Sequence, residues 1–283
     1  MDAGRFHSHA QGSTPLSFTG ERVVPDEPGW EWCFEAHRFG YDELVRRLPD
    51  GGRVLDVGAG EGYGAAAIAQ RSRFAVGLDY SLDAVRHAQG KYGSERLAFV
   101  VADAQRLPFR DGSFDVVSSL QTIEHFTDTD AHLRDVARVL DDGGFHFCAT
   151  PNIALATPEE AANEWHLRDF TAGELESAMR QAFQDVELLG QHYVEESPRV
   201  RAMRAADAAE ATGAARREKA ERWLSRLPGP ARVRLRPFVR RLLGVPREDP
   251  DAVRNRIVAE DFVLRPPAEA SFCLFAIART PRR

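Results

Sequence analysis

The residue types best suited to proton transfer fall in one stretch, Gln121-Thr122-Ile123-Glu124-His125-Phe126. Glu124 and His125 are an acid and an imidazole side by side, either of which can take a proton from a hydroxyl as it attacks. They equally suit a polar pair preceding a helix that begins near Asp128. A second cluster, Asn163-Glu164-Trp165-His166-Leu167-Arg168-Asp169-Phe170-Thr171, offers His166 as another base and Trp165 as a stacking surface for a ring. Thr171 with Glu174 also reads as a capping box, so the cluster doubles as a helix entry.

Upstream lie three features with the spacing of a nucleotide-type site. In Asp56-x-Gly58-x-Gly60-x-Gly62 the glycines let a ligand approach the backbone, and the helix they open offers unpaired N–H groups. A plain tight turn is the alternative. The dinucleotide pattern G-x-G-x-x-G is not met, because its third glycine would fall at Tyr63. Asp79, 21 positions after Gly58, can accept both hydroxyls of a ribose, or serve as an acid favoured at a helix start before Ser81. Asp103-Ala104 follows a third apolar run and otherwise begins a turn.

The elements that must position these residues alternate regularly. Strands are expected at 53–57, 74–78, 97–101, 114–118, 145–149, 186–189 and 271–278. Helices are expected at 82–92, capped by Ser81, at 131–140, ended by a turn at Asp141-Asp142-Gly143-Gly144, and at 172–183. One or two more lie between Trp30 and Leu48, interrupted at Gly40. Such alternation predicts an α/β fold, a Rossmann-like doubly wound seven-stranded sheet with helices on both faces. The predicted organisation is a flexible tail at 1–20, a cofactor-binding core at 21–196, an arginine-rich helical insertion at 197–268 and a final core strand at 269–283. The insertion carries arginines from Arg199 to Arg247, alanine-rich helix-favouring runs, and a break at Pro228 and Pro230.

From Gly52 to about Phe183 the chain resembles class I S-adenosylmethionine-dependent methyltransferases. The likeness rests on the Asp56 to Gly62 loop, Asp79, Asp103-Ala104, and the passage Leu107-Pro108-Phe109 through Asp111-Gly112-Ser113-Phe114-Asp115-Val116-Val117. It implies S-adenosylmethionine as cofactor, held by Asp56, Gly58, Ala59, Gly60, Gly62, Asp79, Tyr80, Asp103, Ala104 and Gln121. In that implication Asp103 accepts from the adenine amino group and the Ala104 N–H meets a ring nitrogen. The stretch ending in Glu124-His125 is similar to the Glu-x-x-Glu-His of ubiquinone-type O-methyltransferases, whose residues can hold a divalent metal. Gln121 stands where that pattern has its first acid, and a hard cation prefers carboxylate oxygen, so no metal is expected. His125 and Glu124 remain as base candidates, with His166 behind them.

The N-terminal runs Thr19-Gly20-Glu21-Arg22, Gly29-Trp30-Glu31-Trp32 and Ala36-His37-Arg38-Phe39 resemble actinobacterial glycan methyltransferases, including those acting on the mycofactocin oligosaccharide. Arg22 or Arg38 can pair with a methionine carboxylate, or each can be a surface arginine. The expected reaction is methyl transfer to a hydroxyl of a sugar, glycan or natural product. A C- or N-methyltransferase on a quinone, polyketide or amine is the second expectation. A non-catalytic cofactor-binding protein that docks on a membrane surface or partner through the basic insertion is the third.

Composition narrows the partners. A net charge of −6 over 283 residues gives no global basic field for nucleic acid. Three dispersed cysteines, Cys33, Cys148 and Cys273, form neither a disulfide framework nor a zinc motif, and fit a reducing cytoplasm. No export signal or spanning apolar run is recognised.

Overall fold

A strand that is apolar on both faces has to be covered on both faces. The first strand, β1 (Arg53–Val57), turns Val54 to one side and Leu55 and Val57 to the other, and all three are buried. The computed structural model describes residues 22–25, 27–156, 163–225, 250–266 and 268–282. In it, α1 (Glu31–Arg47), α2 (Tyr63–Ala69) and α3 (Leu82–Tyr92) cover one face through Leu44, Ile68 and Ala88. The other face is covered by α4 (Thr129–Val139) and α5 (Ala172–Ala182) through Leu133, Val136, Leu175 and Met179. Each fully buried Leu or Met contributes roughly 1.5–3 kcal/mol, so the two layers clamp the sheet from both sides.

The remaining strands are β2 (Phe74–Asp79), β3 (Leu97–Val101), β4 (Phe114–Leu120), β5 (Leu140–Pro151), β6 (Phe183–Tyr193), β7 (Phe262–Arg265) and β8 (Cys273–Pro281). Their order across the sheet is β3-β2-β1-β4-β5-β8-β6-β7. The first five are parallel to one another, and the β5–β8, β8–β6 and β6–β7 pairs are antiparallel. From β1 the chain winds outward to β2 and β3 on one side and then returns to lay β4 and β5 on the other, so the strand order reverses at the β1–β4 pair while the carboxyl ends of β2, β1 and β4 point the same way. Open α/β sheets bind ligands at such a switch point.

The doubly wound α/β class stands as expected, but among the described residues the sheet has eight strands rather than seven. The added strand is β7, four residues pairing with β6 from Tyr193↔Phe262 to Gly190↔Arg265 at the sheet edge. It falls within the stretch taken from sequence as a helical insertion, which also contains α6 (Pro198–Ser225) and α7 (Pro250–Arg254). Four residues next to a proline pair carry too little alternation to signal a strand, and the partner edge supplies the pairing. Helix α1 runs unbroken through Gly40, where a Cβ would stand 3.3 Å from the Phe275 ring. That glycine serves a close approach rather than a break. The expected turn at 141–144 is an irregularity inside β5, where Phe114 faces Leu140 but Val116 faces Phe145.

Helices α6 and α7 pack on α1 through Val200, Met203 and Val253 against Ala36 and Phe39. Several arginines of the insertion have local partners. Arg199 pairs with Asp261, Arg204 with Glu195 and Arg222 with Glu218, while Arg201 donates to the Glu196 carbonyl. The expected tail at 1–20, Thr19 to Glu21, Pro228, Pro230 and the arginines from Arg226 to Arg247 lie outside the described residues. Among the described residues no helix is long and apolar enough to cross a membrane.

Candidate active site

The carboxyl ends of β1, β2 and β4 border a cavity of about 630 Å³. Its floor is the glycine loop. The Gly58 and Ala59 N–H groups donate to the Leu78 carbonyl at 2.8 and 2.9 Å, binding the loop to β2. Gly58 has φ +74°, and a Cβ there would lie 2.4 Å from Thr122 Oγ1, so only glycine fits. Asp79 is fixed by two backbone donors, Gly60 N–H to Oδ2 at 2.9 Å and Ser81 N–H to Oδ1 at 2.8 Å. Its carboxylate therefore faces the cavity in one orientation.

Eight of the ten residues that the family resemblance assigns to the cofactor border this cavity: Gly58, Ala59, Gly60, Asp79, Tyr80, Asp103, Ala104 and Gln121. Asp56 and Gly62 do not. Gly62 opens α2 behind the loop, where a Cβ would stand 2.7 Å from Ala88. Asp56 is wholly buried beneath it, accepting from the Ser118 hydroxyl at 2.6 Å and the Tyr41 hydroxyl at 3.3 Å. Both residues set the loop's shape from behind.

Burial pushes the Asp56 carboxyl up to about 7. Between the ordinary carboxylate range and that value the folded protein keeps a proton that the unfolded chain has released. The contribution of this group is thus complete below about pH 4 and is lost as pH rises towards 7. Asp56→Asn removes the dependence. Its stability relative to wild type should grow by about 2 kcal/mol between about pH 5 and 6.5, at about 1.4 kcal/mol per unit, as read by urea unfolding. A difference that is the same at both pH values would mean that Asp56 is not protonated in the fold.

The Asp103–Ala104 turn is held from below. His132 Nδ1 donates to the Ala104 carbonyl at 2.9 Å, and its Nε2 lies 3.1 Å from Ser119 Oγ. Burial pushes His132 down to about 4, which keeps it neutral in this network. Gln105 ties the turn to the neighbouring loop, accepting from the Thr127 hydroxyl and the Asp128 N–H. Asp128 itself caps α4.

Past β4 the chain makes a short 3₁₀ turn, Ile123–His125. Gln121 enters it with φ +52°, a conformation uncommon for a residue with a Cβ and often found where backbone strain is tied to function. The Gln121 side-chain amide donates to Cys273 Sγ. Glu124 is buried and accepts from the Thr150 hydroxyl at 3.0 Å, while its carbonyl accepts from the Leu167 and Arg168 N–H groups. Those two bonds bring the 163–170 segment, with its capping box at Thr171 and Glu174, against the turn. Burial pushes Glu124 up to about 7, with the neighbouring His125 pulling the other way.

His125 borders the cavity, and its Nδ1 lies 2.8 Å from the Trp165 carbonyl. A carbonyl only accepts, so Nδ1 carries the hydrogen and the Nε2 of the neutral ring keeps its lone pair. His166 is oriented in the same way by Asp169 Oδ1, at 2.9 Å, and its ring centre stands 5.3 Å from that of His125. Glu124, His125 and His166 each offer one ligand atom within 4.8 Å of the others. Of the three, His125 alone borders the main cavity. Trp165 and Leu167 form the mouth, 42% and 59% exposed.

Several cavity residues were not among the site residues expected from sequence. Tyr41, Tyr63 and His37 line the wall under α1, and burial pushes His37 down to about 4. Glu61, between two loop glycines, accepts from His87, Lys91 and Tyr92 and so ties the loop to α3. Of the two arginines considered from sequence, Arg22 borders the main cavity. Arg38 is engaged with Glu35, Asp42 and Glu260 and faces a separate hollow.

A parallel sheet opening on a glycine loop, with an acid at the end of the second strand, defines an α/β fold that binds a nucleoside-bearing cofactor. A methyltransferase-domain sequence profile matches residues 55–148. A probable S-adenosylmethionine-dependent methyltransferase of Mycobacterium tuberculosis is 35% identical over 208 residues, covering 69% of this chain and 74% of that protein. A fatty-acid O-methyltransferase of Mycolicibacterium smegmatis is 40% identical over 98 residues, covering 34% of this chain and 36% of that protein. Among solved structures, a Thermotoga maritima S-adenosylmethionine-dependent methyltransferase, described as a possible histamine N-methyltransferase, superposes with a TM-score of 0.55. It is 16% identical and covers 89% of this chain and 94% of its own, so it speaks for the fold alone.

The chain belongs to the S-adenosylmethionine-dependent methyltransferases. Its cofactor is S-adenosylmethionine. The residues present suit that cofactor: a loop with glycine at 58 and 60, a carboxylate held towards the cavity, and a cation at the wall.

Proposed function

We propose that this methyltransferase methylates a hydroxyl oxygen of a sugar, glycan or natural product, with His125 as the base. The observation that carries the reading is the His125 hydrogen bond to the Trp165 carbonyl, which selects for the neutral ring the tautomer with its lone pair on Nε2, on a ring bordering the cavity. When bound, the cofactor supplies an activated methyl group on a sulfonium. Gly58, Ala59 and Gly60 cradle it, Asp79 accepts from the ribose hydroxyls, Asp103 and Ala104 meet the adenine, and Tyr80 and Gln121 complete the walls. Asp56 and Gly62 shape the loop. With the acceptor aligned for in-line attack, which supplies much of the rate, His125 removes the hydroxyl proton. The Trp165 carbonyl orients the ring, His166 lies beside it, and the Glu124 carboxylate favours the charge the ring gains.

The half-exposed Trp165 ring at the mouth suits the apolar face of a sugar ring, as an amphipathic surface with one wet side. The N-terminal likeness to glycan methyltransferases points the same way. Labelled cofactor offered to cell extracts fractionated into glycans, lipids and small aromatics should mark the glycan fraction. Label in the lipid or aromatic fraction would redirect the acceptor, towards a quinone or polyketide in the aromatic case. Label in none would favour a cofactor-binding protein without turnover, acting through the basic stretch of its insertion.

A second reading is favoured by one specific arrangement. A carboxylate and two imidazoles within 4.8 Å are a donor set suited to a divalent transition metal. On that reading Glu124, His125 and His166 are ligands, and the hydroxyl is activated by coordination.

A further inference from the structure

We propose that Arg22 clamps the α-carboxylate of the cofactor's amino-acid tail. S-adenosylmethionine presents three separated polar stations: an adenine, a ribose diol and an α-amino acid. Asp103 with Ala104 and Asp79 lie at the ends of β3 and β2. The cavity then continues past Asp79 along the glycine loop towards α1, where Gly60, His37, Tyr41, Tyr63 and Arg22 line it. An anionic tail in that part of the cavity needs a cation.

Among the described residues lining the cavity, Arg22 is the one side chain with a permanent positive charge. His37 cannot substitute, since burial keeps its ring neutral near pH 7. Arg38 is spent on Glu35, Asp42 and Glu260, and Lys91 on Glu61. The stem of Arg22 crosses the loop at Gly60, its Cγ 3.4 Å from where a Cβ would stand, so glycine at that position makes room for the arginine as well as for the ligand.

The guanidinium is poised rather than satisfied. It is 12% exposed, and among the described residues its one charge contact is Nη2 to Asp79 Oδ1 at 3.9 Å, beyond hydrogen-bond range. Both Asp79 oxygens already accept backbone N–H groups, so Asp79 is not held in place by Arg22. Five N–H donors in a planar fork, largely withdrawn from water, match a carboxylate in bidentate geometry. Arg22 thereby couples the segment preceding α1 to the bound tail.

The test compares two ligands by calorimetry. S-adenosylhomocysteine carries the amino-acid tail, whereas 5′-methylthioadenosine has the same nucleoside without it. Arg22→Ala should bind S-adenosylhomocysteine roughly 10–100-fold more weakly, the scale of a hydrogen-bonded charge pair, with methylthioadenosine affinity unchanged. Arg22→Lys should recover part of the loss, because an ammonium keeps the charge without the fork. Decarboxylated S-adenosylhomocysteine should bind wild type about as weakly as the intact ligand binds Arg22→Ala, an arm that needs no variant. Equal losses for both ligands would overturn the proposal by moving the effect to the ribose or the fold. Full affinity of wild type for the decarboxylated ligand would overturn it directly.

Discussion

Replacing His125 by alanine should lower the methyl-transfer rate by roughly 10²–10⁴, the range for losing a general base, while cofactor affinity is kept. The expectation follows from the tautomer. With Nδ1 committed to the Trp165 carbonyl, Nε2 has the lone pair a base needs, and the ring borders the cavity. Glu124 stays out of the acceptor's path because its carboxylate is buried against Thr150. The measurement is single-turnover transfer to the acceptor, with S-adenosylhomocysteine binding as the control. A variant that turns over at the wild-type rate would remove His125 from the chemistry. Excess EDTA should leave the wild type active. Activity lost in EDTA and restored by a divalent transition metal such as manganese would instead make Glu124, His125 and His166 metal ligands.

Asp79→Ala should weaken S-adenosylhomocysteine binding by about 1.5–3 kcal/mol, or roughly 10–150-fold, by removing a charged acceptor from the ribose. Methylthioadenosine should lose as much, since it carries the same ribose, which separates this site from the amino-acid tail. The substitution also strands the Gly60 and Ser81 N–H groups that now donate to the carboxylate. Some thermal stability should go with the affinity, so a melting curve accompanies each titration. Asp79→Asn, which keeps an acceptor oxygen but loses the charge, should fall between wild type and alanine. Affinity unchanged in Asp79→Ala would mean that the ribose lies elsewhere.

The two substitutions probe parts of the site that differ in how local their causes are. Strand β1, its glycine loop and helix α2 occupy 17 consecutive residues, 53 to 69, so their types and spacing carry the information directly. A glycine at 58 and an acid at 79 are demands of nearby backbone geometry. The sequence by itself therefore determined the α/β class and, through its family likeness, the cofactor.

Only the tertiary structure decided matters that depend on which distant elements meet. His125 and His166 are 41 positions apart, and they become neighbours because the Glu124 carbonyl takes the Leu167 and Arg168 N–H groups. Asp56 and Gly62 carry the loop motif but lie behind it, which strand and helix packing fixes and motif spacing does not. Arg22 and Arg38 look alike in the chain. One is consumed by Glu35, Asp42 and Glu260 and the other is left at the cavity. Strand β7 has too few residues to declare its own period and exists because β6 offers an open edge. Local propensity acts over a few residues, whereas ion pairing, edge pairing and burial are settled between segments that the fold alone brings into contact.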